Sequence, residues 1–187
     1  MNKFDKVIND LKKLGVKITR GLTTEELDKV ETFYNIKFHP DLRKLIQAGL
    51  FVGNKGCDWR DFSEKNIAKI RKMLNWPLEG ILFDIEHGNY WNATLDQKPT
   101  DPALAKEIFT TWYKRNVPQL IPIYSHRYMS SKPKEIGAPV YSVYQTDIVY
   151  YGQNIFKYLA KEFKYSTKIE YSEWKKDDTP FWSEIVS

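Results

Sequence analysis

Apolar residues in the first fifty positions recur at the three- and four-residue spacing of amphipathic helices. Residues 4–14 place five of them on one helical face, namely Phe4, Val7, Ile8, Leu11 and Leu14. A second stripe begins after Thr23, and Glu26 three residues later gives the spacing of a capping box. A third, short stripe follows His39-Pro40-Asp41 and ends near Gly49. The pattern predicts three helices in this part of the chain.

The middle of the chain combines helical spacing with one short apolar run. Ser63 is placed to cap a helix over residues 64–74. We expect this helix to end before Pro77, because proline lacks an N–H donor and clashes with the preceding turn. The apolar run over residues 81–85 predicts a strand, and residues 101–116 predict a further helix that begins with an Asp-Pro pair.

After residue 120 the period changes to two, which is typical of strands. Residues 120–124 predict one strand, and whether it continues through Arg127 stays open. Residues 139–151 predict a hairpin that turns at Gln145-Thr146, and residues 155–163 predict a last helix. Helices come first and strands later, so we predict an α+β fold: a single domain with a central mixed, largely antiparallel sheet flanked by helices.

The composition suits a protein of a reducing, aqueous compartment. Cys57 is the single cysteine, so no disulfide can form within the chain. The first residues lack the apolar stretch of a signal peptide, and no run of about 18 apolar residues occurs. We therefore expect a cytoplasmic protein with no membrane partner.

The net charge of +5 is unevenly distributed. Between Pro77 and Asp101 the sign of the charge reverses, since the segment has one basic residue, Lys98, and five acidic ones. The acidic residues are Glu79, Asp84, Glu86, Asp96 and Asp101. Basic doublets such as Lys12-Lys13 and Arg71-Lys72 lie mainly on predicted polar helix faces. The aromatic-rich strands carry few lysines, unlike an RNA-binding sheet, so nucleic acid is a less favoured partner than protein.

Residues capable of catalysis or metal binding form no recognisable pattern. The histidines lie far apart in the sequence, namely His39, His87 and His126. On the predicted strand, Asp84 and Glu86 would face away from His87. Cys57 lies in a glycine-rich loop without a catalytic signature. Ser125-His126 are neighbours on a predicted strand, so their side chains should point to opposite faces. We predict no catalytic residue, no metal site and no cofactor.

Several segments, in their order along the chain, resemble the SUKH superfamily, whose bacterial branch is similar to fungal Smi/Knr cell-wall-assembly regulators. The opening motif is Gly21-Leu22-Thr23-Thr24-Glu25-Glu26-Leu27 followed by Phe38-His39-Pro40-Asp41-Leu42. The later segments are residues 76–86, 120–128, 139–152 and 156–163. The chain departs from the family where His39 replaces a more usual proline and Ala48-Gly49 replaces Asn-Gly. The resemblance places a SUKH-like core at about residues 20–163 of a single domain over residues 1–187.

Residues 164–187 follow this core as a C-terminal extension. We expect the extension to pack on the domain, because a disordered tail usually lacks aromatic residues. Its aromatic residues include Tyr171, Trp174, Phe181 and Trp182.

The resemblance implies a binding role and no catalysis. Many bacterial members of the family are immunity proteins, paired with secreted polymorphic toxins that are often nucleases or deaminases. We therefore expect a non-catalytic protein, monomeric or homodimeric, whose partner is a cognate protein toxin. A regulatory or scaffold protein of the same fold is the alternative, and a nucleic-acid-binding protein comes after it.

A partner-binding patch is predicted around the acidic segment, because an acidic surface with aromatic anchors would complement a basic nuclease toxin. It centres on residues 84–91, with residues 57–61 and 124–128 alongside. The predicted contact residues are Asp58, Trp59, Asp61, Asp84, Glu86, His87, Tyr90, Trp91, Tyr124, His126, Arg127 and Tyr128. The competing interpretation is that Tyr90 and Trp91 simply belong to the core.

Overall fold

A computed structural model of the chain describes residues 2–88, 90–132, 135–172 and 179–186. The helices in these ranges are α1 (Lys3–Lys13), α2 (Thr24–Tyr34), α3 (Pro40–Ala48), α4 (Glu64–His87), α5 (Pro102–Asn116) and α6 (Ile155–Glu162). The strands are β1 (Ile18–Thr19), β2 (Leu50–Phe51), β3 (Leu120–Tyr124), β4 (Arg127–Ser130), β5 (Val140–Tyr144) and β6 (Asp147–Gly152).

The larger sheet is an antiparallel meander in the order β3-β4-β5-β6, and β1 and β2 form a small antiparallel pair. The α+β fold class is therefore confirmed. The sheet was expected to be mixed and largely antiparallel: its four strands pair antiparallel, and among the described residues a parallel bridge joins Ile148 of β6 to Val186.

The predicted helix starts are confirmed where a capping side chain marks them. Thr23 accepts a hydrogen bond from the Glu26 backbone N–H, and the Glu26 carboxylate accepts one from the Thr23 backbone N–H. Ser63 caps α4 and Asp101 caps α5 by the same chemistry. These caps are local, so the sequence alone reveals them.

The prediction that a helix ends before Pro77 and that a strand follows at residues 81–85 was wrong. The helix α4 runs through both segments, and Pro77 lies inside it. Proline leaves the carbonyl of Met73, four residues earlier, without an intrahelical donor. The Tyr128 hydroxyl donates a 2.8 Å hydrogen bond to that carbonyl, so a strand side chain replaces the missing N–H.

The possible continuation of the first strand through Arg127 is also ruled out. Ser125 has a positive φ of 52° and turns the chain, and β4 begins at Arg127 and pairs back on β3. The hairpin around Gln145-Thr146 forms as predicted, with Gln145 at φ 55°. Both turns lie at the same end of the meander, since each joins an odd-numbered strand to the next even-numbered one.

The larger sheet is covered on both faces. Met129 and Val140 belong to one cluster of buried residues, to which α1, α2, α3 and α6 contribute. Tyr128 and Tyr141, their neighbours along the strands, belong to a second cluster with the C-terminal half of α4 and with α5. Alternate strand residues therefore pack against opposite layers.

Residues 179–186 contribute to the second cluster. Phe181 and Trp182 are buried, and the Trp182 indole donates a 2.6 Å hydrogen bond to the carbonyl of Pro118. Tyr171 donates a hydrogen bond to the fully buried carboxylate of Asp41. Trp174 lies outside the described residues.

The start of α3 is fixed by a buried polar network. The Nδ1 atom of His39 accepts a 3.1 Å hydrogen bond from the Asp41 backbone N–H, and its Nε2 atom lies 3.0 Å from the carbonyl oxygen of Glu135. Because a carbonyl only accepts, Nε2 carries the proton of a neutral ring. One oxygen of the Asp41 carboxylate accepts the hydrogen bond from Tyr171, and the other accepts a 2.7 Å hydrogen bond from the Gly137 backbone N–H. This network joins α3 to segments about a hundred residues away.

No helix among the described residues is both long enough and apolar enough to cross a bilayer.

Candidate partner-binding groove

Two of the predicted contact residues are buried. Trp59 and Tyr128 are each 1% exposed, so neither side chain offers more than a trace of surface to a partner. Trp59 packs edge-to-face against Tyr34 and Phe38, and Tyr128 supports α4 as described above. We predicted them as partner contacts, but both side chains belong mainly to the core, because aromatic residues serve the core as well as interfaces.

The carboxylates of the predicted acidic patch are engaged in internal contacts. Asp84 accepts hydrogen bonds from the backbone N–H and the hydroxyl of Thr146, at 2.9 and 2.6 Å, and so holds the β5–β6 turn against α4. Glu86 forms a 2.5 Å ion pair with Lys106 of α5. This ion pair lowers the pKa of Glu86. His87 lies on the same helix with its Nε2 atom 3.9 Å from Glu86, and not on the opposite face of a strand.

The aromatic residues of that patch lie partly in the second cluster. Tyr90 and Trp91 are half-buried, with ring centroids 6.1 and 6.4 Å from that of Phe109. The Trp91 indole donates to the carbonyl of Asp96 at 2.6 Å. The core interpretation therefore accounts for most of their surface. Asn89, in the middle of the predicted patch, lies outside the described residues.

Asp58 and Asp61 shape the turn before α4. Asp58 accepts a hydrogen bond from the Arg60 backbone N–H, and Asp61 accepts one from the Ser63 backbone N–H. Both carboxylates therefore stabilise loop geometry near the start of the helix.

Tyr124 and Arg127 are half-buried at the sheet. Arg127 forms a 3.0 Å ion pair with Glu162 and stacks on the Tyr151 ring at 3.7 Å. Tyr124 packs on Phe163, with ring centroids 5.4 Å apart. The structure thus separates the twelve predicted residues among several local environments.

A different surface feature, which we call the α4 groove, runs beside the N-terminal half of α4. It encloses about 760 Å³ between that helix, the loop before Gly56 and the two turns at the end of the sheet. Its lining residues are Asn54, Lys55, Lys65, Ala68, Lys69, Lys72, Met73, Trp76, Ser125, His126, Tyr128 and Tyr144. Of the twelve predicted contact residues, His126 and Tyr128 line this groove.

The rim of the α4 groove is basic. Lys65, Lys69 and Lys72 follow one another at the i, i+4, i+7 spacing of one helical face, and Lys55 stands on the opposite loop. No carboxylate of the described ranges lies within ion-pair distance of Lys55, Lys65 or Lys72. Their charges are therefore available to a partner.

Lys69 has a different role. Its ammonium donates to the carbonyls of Gly53 and Gly56, at 2.8 and 2.6 Å, and so holds the loop that carries Lys55. The Ser125 backbone N–H fixes the same loop from the sheet through a 2.7 Å hydrogen bond to the carbonyl of Lys55.

One end of the groove is aromatic. The Trp76 indole donates to the carbonyl of Val143 at 3.1 Å, and its ring centroid lies 6.2 Å from that of Tyr144, which is 58% exposed. The turn approaches closely because Gly80 has no side chain, since a Cβ there would lie 2.8 Å from the Gln145 Cα. A smaller cavity of about 180 Å³ continues past this point to the exposed Phe83.

Ser125 and His126 contact each other, contrary to the sequence-based prediction. The Ser125 Oγ lies 3.2 Å from the His126 Nδ1, because a turn and not a strand holds the two residues. Burial, together with the nearby charges of Arg127 and Lys55, lowers the pKa of His126. No carboxylate among the described residues bonds to the far side of this imidazole to orient it, so the pair has no triad geometry.

Within the described ranges, no three His, Cys, Asp or Glu side chains converge on a point that could hold a metal ion. The Cys57 thiol is buried, and this burial raises its pKa to about 12, so the reactive thiolate is disfavoured.

Sequence reasoning missed the lysine row and its aromatic end. The signal was the spacing of Lys65, Lys69 and Lys72 with Trp76 one further turn along. It was interpreted as a solvated helix face, because much of the opposite wall comes from Ser125, His126 and Tyr144, which are distant from α4 in the sequence.

Searches with protein-family models, among curated proteins and among solved structures returned no match to this chain.

Proposed function

We propose that this protein is a non-catalytic binding module of the immunity type, which neutralises a protein toxin by direct contact through the α4 groove. The observation that carries the proposal is the row of lysines without carboxylate partners above an apolar, aromatic-ended floor. Protein interfaces combine an anchoring aromatic centre with a charged rim in this way.

The charge of the groove indicates the kind of surface it accepts. Exposed lysines around an apolar floor complement a partner that presents carboxylates around an apolar anchor, and such complementarity speeds association and excludes wrong partners. The predicted acidic patch offers fewer free charges to a partner. Asp84 is hydrogen-bonded to Thr146, and Glu86 is paired with Lys106.

The test compares three forms of the protein as bait in lysate of the source organism. These are the native chain, the groove variant Lys65→Glu/Lys72→Glu, and the control variant Lys6→Glu/Lys157→Glu. The control makes the same charge change at exposed helical lysines that do not line the groove. Each protein captured by the native chain is then expressed alone and together with it, and cell growth is followed.

Support requires a captured protein that arrests growth when expressed alone. Co-expression of the native or control chain must relieve this arrest. The groove variant must fail to capture or neutralise the same protein. A captured partner that is harmless when expressed alone would contradict the immunity role and favour the regulatory alternative. Equal neutralisation by the groove variant would show that another surface binds the toxin.

Nucleic acid is the second candidate, favoured by the combination of lysines with Trp76 and Tyr144 in one groove. It predicts affinity of the native chain for arbitrary duplex or single strands, falling steeply between 50 and 200 mM salt, on the order of the counterion-release slope. Electrophoretic mobility shift at the two salt concentrations separates this candidate from a protein-binding groove.

A further inference from the structure

The α4 groove follows a helix along its length. From Lys65 to Trp76 the helix rises by about 17 Å, and to Phe83 by about 27 Å, at roughly 1.5 Å per residue. Both cavities lie along this line and share Trp76 and Tyr144. The groove is thus an elongated trough beside α4, long enough for three to five turns of a second helix at about 5.4 Å per turn.

The walls of the trough consist mainly of side chains. An extended segment would bring one N–H and one C=O group per residue, and these groups need partners when water is excluded. Each outer strand of the meander already makes one bridge to another segment, since Tyr124 of β3 bridges to Gly56 and Ile148 of β6 bridges to Val186. An occupant that satisfies its own backbone hydrogen bonds therefore fits this trough better than an added strand.

The chemistry of the trough specifies the faces of such an occupant. Ala68 is small and exposed, so a partner helix can approach α4 to the usual distance of about 8–10 Å. Met73, Trp76 and Tyr144 offer contacts to apolar side chains. Lys65 and Lys72 on one side and Lys55 on the other offer charges to flanking carboxylates.

Resting on the proposed function, we propose that the α4 groove recognises an amphipathic, acidic α-helix of the partner protein. Its apolar stripe packs on Ala68, Met73 and Trp76, and its glutamates or aspartates face the lysine rim.

The test measures fluorescence anisotropy with a labelled peptide of about 16 residues, a length of roughly 24 Å as a helix. The peptide carries leucines and one tryptophan on one helical face, glutamates on the flanking faces, and a side-chain lactam that keeps it helical. One matched peptide replaces two central residues with proline, and another replaces every glutamate with glutamine. The proteins are the native chain, Lys65→Glu/Lys72→Glu and Lys6→Glu/Lys157→Glu.

We expect the native and control proteins to bind the helical glutamate peptide, and the groove variant to bind it about tenfold or more weakly. The proline and glutamine peptides should lose affinity by a similar factor. Equal binding of the helical and proline peptides would overturn the inference, because the occupant would then be extended. Equal binding of the glutamate and glutamine peptides would overturn the acidic assignment, and tighter binding of duplex DNA would replace it with nucleic acid.

The two proposals can fail separately. Suppose that a toxin is neutralised by the native and control chains but not by the groove variant, and that the helical peptide does not bind. The immunity role would then stand, and the helical occupant would be overturned. Peptide binding with the expected losses supports the helical occupant even if the partner captured from the lysate proves harmless.

Discussion

Pro77 and Tyr128 are distant in sequence but share one carbonyl group. In an unbroken helix the residue at position 77 would donate to the Met73 carbonyl, and here the Tyr128 hydroxyl donates instead. Because the hydroxyl belongs to the sheet, the local defect in α4 becomes a contact between layers. Tyr128 also lines the groove. Its hydroxyl supports the same helix that carries the lysine rim.

Replacement of Tyr128 by phenylalanine should therefore destabilise the protein by about 1–3 kcal/mol, since the Met73 carbonyl loses its donor. In a Pro77→Ala background the alanine N–H can take over this role, so the same replacement should cost less. Urea denaturation of the four proteins in this double-mutant cycle measures the coupling. Equal costs in the two backgrounds would contradict the proposed compensation.

His39 introduces a dependence of stability on pH. Burial lowers its pKa in the folded protein, so the unfolded chain, with a histidine pKa of about 6.5, takes up a proton first as the pH falls. The stabilisation is complete above about pH 6.5 and is lost as the pH falls toward the lower folded pKa.

A His39→Asn variant keeps a good N-cap and removes this titration. We expect its unfolding free energy to fall less between pH 7 and pH 5 than that of the native chain, as measured by urea denaturation across that range. The exposed His126 also has a lowered pKa. The variant His126→Asn therefore measures how much of the pH dependence of stability comes from this second histidine. Identical pH slopes for the native chain and His39→Asn would refute the assignment.

At the scale of elements, the position of the β5–β6 hairpin on α4 determines where the groove ends. The Asp84 carboxylate binds the turn, and Gly80 allows the Gln145 backbone to lie against the helix. Tyr144 is thereby held beside Trp76.

Gly80→Ala tests this contact, because two effects oppose each other. Alanine in a helix is intrinsically favoured over glycine by about 0.5–1 kcal/mol. The Cβ would meet the Gln145 backbone, and such overpacking costs about 1–3 kcal/mol. We expect net destabilisation by thermal or urea unfolding, whereas Asn75→Ala, an exposed substitution in the same helix, should not destabilise. A stabilised Gly80→Ala protein would show that the hairpin does not press on α4.

The sequence specified most helices and the hairpin because their signals are local. The capping pair Thr23 and Glu26 and the period-two residues on both sides of Gln145-Thr146 lie within a few positions of each other. The continuation of α4 past Pro77 could not be predicted, since its compensation comes from Tyr128, fifty-one residues later in the printed sequence. The groove was missed for the same reason, because its basic row and its opposite wall meet only in the folded chain.

At the scale of the whole molecule, the meander is the shared wall of two buried clusters. Alternate residues of β4 and β5 enter different clusters, so damage to one layer should reach the other through the sheet. Trp182 is fully buried in the second cluster and bonds to the Pro118 carbonyl.

We expect Trp182→Ala to cost about 3–5 kcal/mol, the usual range for a large buried aromatic residue. Both clusters should still unfold in one transition, so circular dichroism and the fluorescence of the remaining tryptophans should report the same midpoint. Two separate midpoints would show that the layers are independent. Phe83→Ala, at an exposed aromatic position, is the control and should change stability far less.

The division of the groove into rim and floor has a consequence for how the protein can diversify. The side chains of Lys55, Lys65 and Lys72 are exposed and make no hydrogen bond or ion pair with the described residues, whereas Tyr128 in the floor belongs to the core. Substitutions on the rim can therefore accumulate at nearly constant stability. If the groove binds a partner as proposed, a lineage of such proteins can exchange one partner for another by changing rim charges alone, while the floor and its supporting helix stay fixed.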